Sequence, residues 1–248
     1  MAKKQFMKTG TLFGIGIGPG DPELITVKAV RILERCRHVF VPTARNEVRS
    51  VALEIARDYI HSDAVIQEMV FPMTTDQQKL RIHWEASARA VADVLERGSD
   101  ACFLTLGDAF LYSTYIYLVR ALRKVLPQVT IVTVPGVTAF SAAAALAEFP
   151  VGEAKERVTI IPTADDLEDL KNALESGGTV VLMKIGKRLH HILALIESYG
   201  LLDHGVFVSR AGMNNERVVK HLGELKGEDD NTGYLSIILV RSRGAKPS

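Results

Sequence analysis

The sequence predicts an α/β protein of two domains, the first built on a mostly parallel sheet and the second on a mixed one. Three observations carry this. From Thr11 to Ala147 short β-branched runs alternate with amphipathic stretches, the pattern of parallel strands joined through covering helices. Between Phe149 and Glu156 that pattern gives way to proline, glycine and charge, which reads as the boundary between a domain over 1–150 and another over 155–243. Beyond it, the last three strand-like runs follow one another across short turns, and short connections suit antiparallel neighbours.

In the first domain Thr11 to Ile17, His38 to Val41, Val65 to Phe71, Ala101 to Leu106 and Val129 to Val134 read as strands, being short, β-branched and bounded by turn residues. Asp21-Pro22 supplies an N-cap and a first-turn proline for a helix in which Leu24, Val27, Val30 and Leu33 recur at helical spacing. Gln77 to Arg97, Leu111 to Leu126 and the alanine-rich Thr138 to Ala147 read as further helices. In the second domain Val158 to Ile161 and Thr179 to Met183 are strands, with helices over Asp165 to Glu175 and Leu189 to Tyr199. The closing strands are Val206 to Arg210, Arg217 to His221 and Leu235 to Val240, with Gly227 to Gly233 as a loop.

Composition narrows the function classes. Thirty lysines and arginines nearly cancel 29 aspartates and glutamates, for a net charge of +1, so no global field draws nucleic acid or an anionic membrane. Cys36 and Cys102 lie far apart without a CxxC pair, as expected of reduced thiols in the cytoplasm. No apolar run approaches the roughly 20 residues needed to span a bilayer. His190 and His191 are adjacent on a helix and cannot share a face, and no HxxxH or HExxH spacing occurs, so no protein-bound metal is expected.

Gly14-Ile15-Gly16-Ile17-Gly18-Pro19-Gly20-Asp21-Pro22 follows a strand and opens a helix, the setting of a nucleotide-binding loop. It is neither a dinucleotide fingerprint, because Asp21 stands where GxGxxG needs its third glycine, nor a P-loop, because Gly20 precedes Asp21 rather than Lys-Ser or Lys-Thr. A carboxylate at the loop's mouth repels phosphate. Two readings stay open: a tight turn whose glycines let backbone pack closely, or a ligand loop.

The run Gly16 to Thr26 resembles the opening signature of the tetrapyrrole (corrin/porphyrin) methyltransferase superfamily. Further stretches resemble that superfamily's motifs in its order: Leu106-Gly107-Asp108-Ala109-Phe110-Leu111-Tyr112-Ser113-Thr114, Val134-Pro135-Gly136-Val137-Thr138, Thr179 to Lys184, Ser209-Arg210-Ala211-Gly212-Met213 and Tyr234-Leu235-Ser236. The resemblance spans roughly Gly10 to Val240. It implies two α/β domains with S-adenosylmethionine bound in an active-site cleft between them, leaving S-adenosylhomocysteine as product. The Tyr112-Ser113-Thr114 ending is similar to the branch that methylates C-20 of precorrin-2 or cobalt-factor II in cobalamin biosynthesis. Pro42 stands where members acting on uroporphyrinogen carry an aspartate. Rival readings are another ring position, an RNA or protein substrate, or a silent binding module.

By this resemblance Pro19, Leu106, Gly107, Asp108, Leu111, Thr138, Ala139, Met183, Ala211 and Leu235 would line the cofactor site. Asp108 would hold the cofactor's ammonium or ribose hydroxyls, or else serve as a helix N-cap; Thr138 is likewise open between capping its helix and binding. Tyr112 is the candidate group near the reacting ring, with the alternative that it only packs. Arg45, Ser113, Thr114, Lys184 and Arg210 would meet the substrate, whose several carboxylates call for cations; singly, each charge also reads as a solvated surface group. Partners implied are a tetrapyrrole and a second copy in a homodimer, with no nucleic acid and no membrane.

Overall fold

The structure is a computed structural model that describes residues 9–43, 50–71, 74, 76–162 and 167–243. It divides into two compact units, Met1–Val137 and Thr138–Ser248. The first holds five strands, β1 (Thr11–Gly16), β2 (His38–Thr43), β3 (Val65–Val70), β4 (Ala101–Thr105) and β5 (Thr130–Val134). All are parallel, in the order β3-β2-β4-β1-β5. β4, β1 and β5 are therefore neighbours, and the loops leaving their C-terminal ends emerge side by side.

Helices α3 (Gln77–Glu96) and α4 (Tyr115–Val125) cover one face. Asp76 starts α3 by accepting the Gln78 and Lys79 N–H groups at 3.0 and 3.2 Å, satisfying donors the helix itself leaves open. Ala88, Val91, Ala92 and Leu95 then form its buried stripe, packed with Leu12, Phe40, Phe103, Tyr115, Leu118 and Leu122. Fully burying a side chain such as Phe103 contributes about 1.5–3 kcal/mol. Gly14 is part of this core: a Cβ there would lie 2.0 Å from the Tyr115 ring, so β1 lacks a side chain where the tyrosine sits. The Tyr115 hydroxyl bonds Thr133 Oγ1 at 2.9 Å, and burial pushes its pKa up.

Three elements differ from expectation. The first helix is split: Asp21 accepts the Glu23 N–H at 2.8 Å to open only a 3-10 turn, Pro22–Leu24. Ile25 is extended and buried, and Thr26 recaps α1 (Val27–Leu33) through the Ala29 N–H at 3.2 Å. Turning Ile25 inward interrupts the helix, and a β-branched cap restarts it. A short helix, α2 (Val51–Ala56), lies where the sequence pattern predicts none. The helix expected from Leu111 begins only at Tyr115, because Tyr112 adopts φ +51°.

The second unit contains β6 (Val158–Pro162), β7 (Gly178–Met183), β8 (Gly205–Ser209), β9 (Arg217–Val219) and β10 (Ser236–Ser242) in the order β6-β7-β10-β8-β9. Only β6 and β7 are parallel, giving a mixed sheet. Helix α5 (Ala139–Ala147) lies on one face against Val181, Val206, Val208 and Leu239. Helices α6 (Glu168–Ser176) and α7 (Leu189–Ser198) cover the other with Leu170, Leu174, Ile192 and Ile196. The division between the compact units falls before α5, at Val137–Thr138, whereas the sequence pattern expects it near 149–156; the alanine face of α5 packs onto the second sheet. Proline, glycine and charge at 149–156 mark a turn inside the second unit.

The thiols are also closer than their spacing suggests. Cys36 and Cys102 are both buried, and Cys36 Sγ donates to the His38 carbonyl at 3.3 Å. The neighbouring Cys36 thiol, together with burial, pushes the Cys102 thiol well above its ordinary range. Among the described residues no helix is long and apolar enough to cross a membrane.

Candidate functional site

In the first unit the three resembling motifs form the loops after β1, β4 and β5, knotted through their backbones. Gly18 and Gly107 exchange two hydrogen bonds, Gly107 N–H to Gly18 O at 2.7 Å and Gly18 N–H to Gly107 O at 3.2 Å. A Cβ on Gly16 would lie 2.5 Å from the Gly136 nitrogen, and one on Gly136 only 2.2 Å from the Gly107 carbonyl oxygen. Close backbone packing is thus what Gly16 and Gly136 require, while Gly107 has a positive φ of 71°. Pro19, buried, follows this contact directly.

Asp108 is the side chain that joins two of these loops. Its Oδ1 accepts the Phe110 N–H at 2.9 Å and its Oδ2 accepts the Gly136 N–H at 3.0 Å. Asp108 caps no helix, since α4 starts at Tyr115; it turns its own loop and anchors the β5 loop 28 residues on. Leu106 and Leu111 are half-buried on the same loop. Ser113 is buried with its hydroxyl donating to the Ala109 carbonyl, Thr114 occupies the cap position of α4, and Tyr112, just before them, stands exposed in the left-handed region. Tyr112 thus lies on an irregular loop ahead of α4. Arg45 lies outside the described residues.

The remaining candidates gather at one edge of the second sheet, where β7 and β8 end and β10 begins. Ala139, Met183 and Ala211 belong to one apolar cluster on the α5 face. Thr138 caps α5 through the Ser141 N–H at 3.4 Å, so its capping reading holds. The Arg210 N–H donates to the Leu235 carbonyl at 2.8 Å, tying the Ser-Arg-Ala motif to the Tyr-Leu-Ser motif. Lys184, next to Met183, is exposed as a whole, but desolvation holds its ammonium below the usual lysine range.

Backbone strain, which no spacing in the sequence reveals, marks the same places. Among the described residues six non-glycine residues have positive φ, and Tyr112, Lys184, Arg210 and Leu235 are four of them, at +51°, +57°, +50° and +50°. Such conformations cost on the order of 1–2 kcal/mol each and concentrate where function demands them. The other two, Glu148 and Ala154, lie away from the motifs; Glu148 is the C-cap of α5.

Residues 11–226 match the family described as Tetrapyrrole (Corrin/Porphyrin) Methylases. The chain is 35% identical to a cobalt-precorrin-2 C(20)-methyltransferase from Salmonella typhimurium over 94% of this chain and 97% of the relative. It is 31% identical to a precorrin-2 C(20)-methyltransferase from a Sinorhizobium species over 93% of this chain and 95% of that one. Among solved structures, a cobalt precorrin-4 methyltransferase superposes with a TM-score of 0.73 at 22% identity, covering 100% of this chain and 99% of its own. A uroporphyrin-III C-methyl transferase from Thermus thermophilus, complexed with S-adenosylhomocysteine, gives 0.63 at 21% identity, covering 94% and 97%. At these identities the structural likenesses speak to fold.

Proposed function

The chain belongs to the tetrapyrrole (corrin/porphyrin) methylase family, and on that premise we propose that it transfers a methyl group from S-adenosylmethionine to C-20 of precorrin-2 or its cobalt form. The observation that carries the reading is similarity to C-20 methyltransferases over nearly the whole of both chains. The cofactor supplies a methyl group on a sulfonium, open to in-line attack by an electron-rich ring carbon.

The residues suit such a cofactor. Ala139, Met183 and Ala211 offer small or adaptable apolar surface for an adenine, with the Leu235 carbonyl fixed beside Ala211. Pro19, Leu106, Gly107, Asp108, Leu111 and Thr138 complete the proposed cofactor set. Asp108 spends one lone pair of each oxygen on a backbone N–H, and a carboxylate has others for an ammonium or ribose hydroxyl. Because the ring carbon is itself the nucleophile, the protein's task is to position it and exclude water. Tyr112, Ser113, Thr114, Arg45, Lys184 and Arg210 are the proposed substrate contacts, with Tyr112 nearest the reacting ring. We expect a cytoplasmic homodimer that engages neither nucleic acid nor membrane.

Calorimetry with S-adenosylhomocysteine tests the cofactor, and absence of binding sinks the enzyme reading. Incubation with labelled S-adenosylmethionine and either precorrin-2 or cobalt-precorrin-2, the product carbon assigned by NMR, tests the chemistry. Label at any position other than C-20 refutes the assignment.

A further inference from the structure

The second unit carries a cavity of about 170 Å³ walled by Arg210, Asn215, Asn231, Thr232, Tyr234 and the Arg217 guanidinium. Strand register fixes its side of the sheet. Ser209 pairs with Arg217 and Phe207 with Val219, and side chains alternate faces along a strand. Ser209 and Arg217 therefore share the face of Phe207 and Val219, the one under α6 and α7. Met183 and Ala211 pack with α5 on the other, so the cavity is separate from the proposed adenine wall while opening at the same sheet edge.

Charge decides what it can hold. Arg217 is gripped in a fork by Glu228 at 2.7 and 2.5 Å, and Thr232 Oγ1 donates to the same carboxylate at 3.1 Å. That pair is internally neutral. Among the described residues no carboxylate pairs with Arg210, and the side-chain amides of Asn215 and Asn231 have no hydrogen-bond partner there. Among the described residues the cavity thus offers one guanidinium without a carboxylate partner beside neutral amide donors, a match for a singly charged planar oxyanion. Arg210 is held there at φ +50° by its N–H bond to Leu235, a conformation that favours glycine or asparagine over arginine.

We propose that this cavity is a carboxylate subsite that takes one acid side chain of the tetrapyrrole substrate. This rests on the methyltransferase reading. In Arg210→Met the KM for cobalt-precorrin-2 should rise about tenfold, the loss of one charge-assisted contact, while the Kd for S-adenosylhomocysteine and the Tm stay unchanged. Arg210→Lys should recover part of the loss, and Asn215→Ala should raise KM in the same direction by a smaller factor. Propionate should compete with the tetrapyrrole in the wild type and lose that effect in Arg210→Met. An unchanged KM overturns the proposal. So does a parallel rise in KM and Kd, which assigns Arg210 to the cofactor, or propionate inhibition that tetrapyrrole does not relieve, which makes this a separate anion site. If the wild type binds no S-adenosylhomocysteine, the enzyme reading fails first, and the two failures are distinguishable.

Discussion

Asp108→Asn separates a carboxylate that holds the fold from one that only awaits a ligand. The substitution keeps the shape but turns one acceptor into an NH2, so either the Phe110 or the Gly136 N–H faces a donor instead of an oxygen. A hydrogen bond to a charged group is worth about 1.5–3 kcal/mol, and an unmatched donor adds to its loss. Asp108 is half-buried, so solvent recovers part, and about 2 kcal/mol is the expected cost. For a chain of this size each kcal/mol moves Tm by roughly 2–4 °C, so the transition of the first unit should fall by about 4–8 °C. Scanning calorimetry of the full chain without ligand reads this directly, since two units need not melt together. A purely ligand-directed carboxylate predicts the opposite sign, because such groups are commonly held at a cost to stability. An unchanged or higher Tm for Asp108→Asn refutes the structural role.

Two other outcomes follow from geometry and titration. Gly14→Ala places a Cβ 2.0 Å from the Tyr115 ring and should destabilise by about 1–3 kcal/mol or more; in Tyr115→Leu the same change should cost far less, and additive effects in urea unfolding would show that the ring is not what Gly14 makes room for. The Arg217 bond holds Glu228 below its ordinary pKa of 4.5. A depressed carboxyl contributes stability that is present above its unfolded-state pKa and lost as pH falls through the folded one. The advantage of wild type over Glu228→Gln should therefore be full at neutral pH and shrink below about 4.5; a pH-independent gap contradicts the ion pair.

Much of this was legible because it is local. The strands announce themselves as short apolar or β-branched runs between turn residues, and the motifs stand in order from Gly16 to Ser236. What stayed hidden depends on distant partners. Nothing near Asp108 reveals that its second oxygen binds the Gly136 N–H, and nothing near Cys36 reveals Cys102. Ile25 sits at helical spacing with its neighbours, yet burying it in an extended conformation gains more than continuing the helix. Alanines 142 to 145 show no preference for one sheet over the other, so the unit to which α5 belongs could not be read from its composition. The left-handed backbone of Tyr112, Lys184, Arg210 and Leu235 is imposed by surroundings on residues that do not favour it.

The placement of β10 in the middle of the second sheet, between β7 and β8, has a bearing on how the chain is made. The first unit is complete in sequence at Val137 and can close its parallel sheet while synthesis continues. The second cannot: until Ser236–Ser242 emerges from the ribosome, β7 and β8 have no strand to join them, and their facing edges are open to wrong partners. Roughly a hundred residues separate those two points, about 5–20 s of translation. During that interval a folded first unit trails an unfinished second one, and it is the final strand, not the motifs before it, whose arrival ends the exposure.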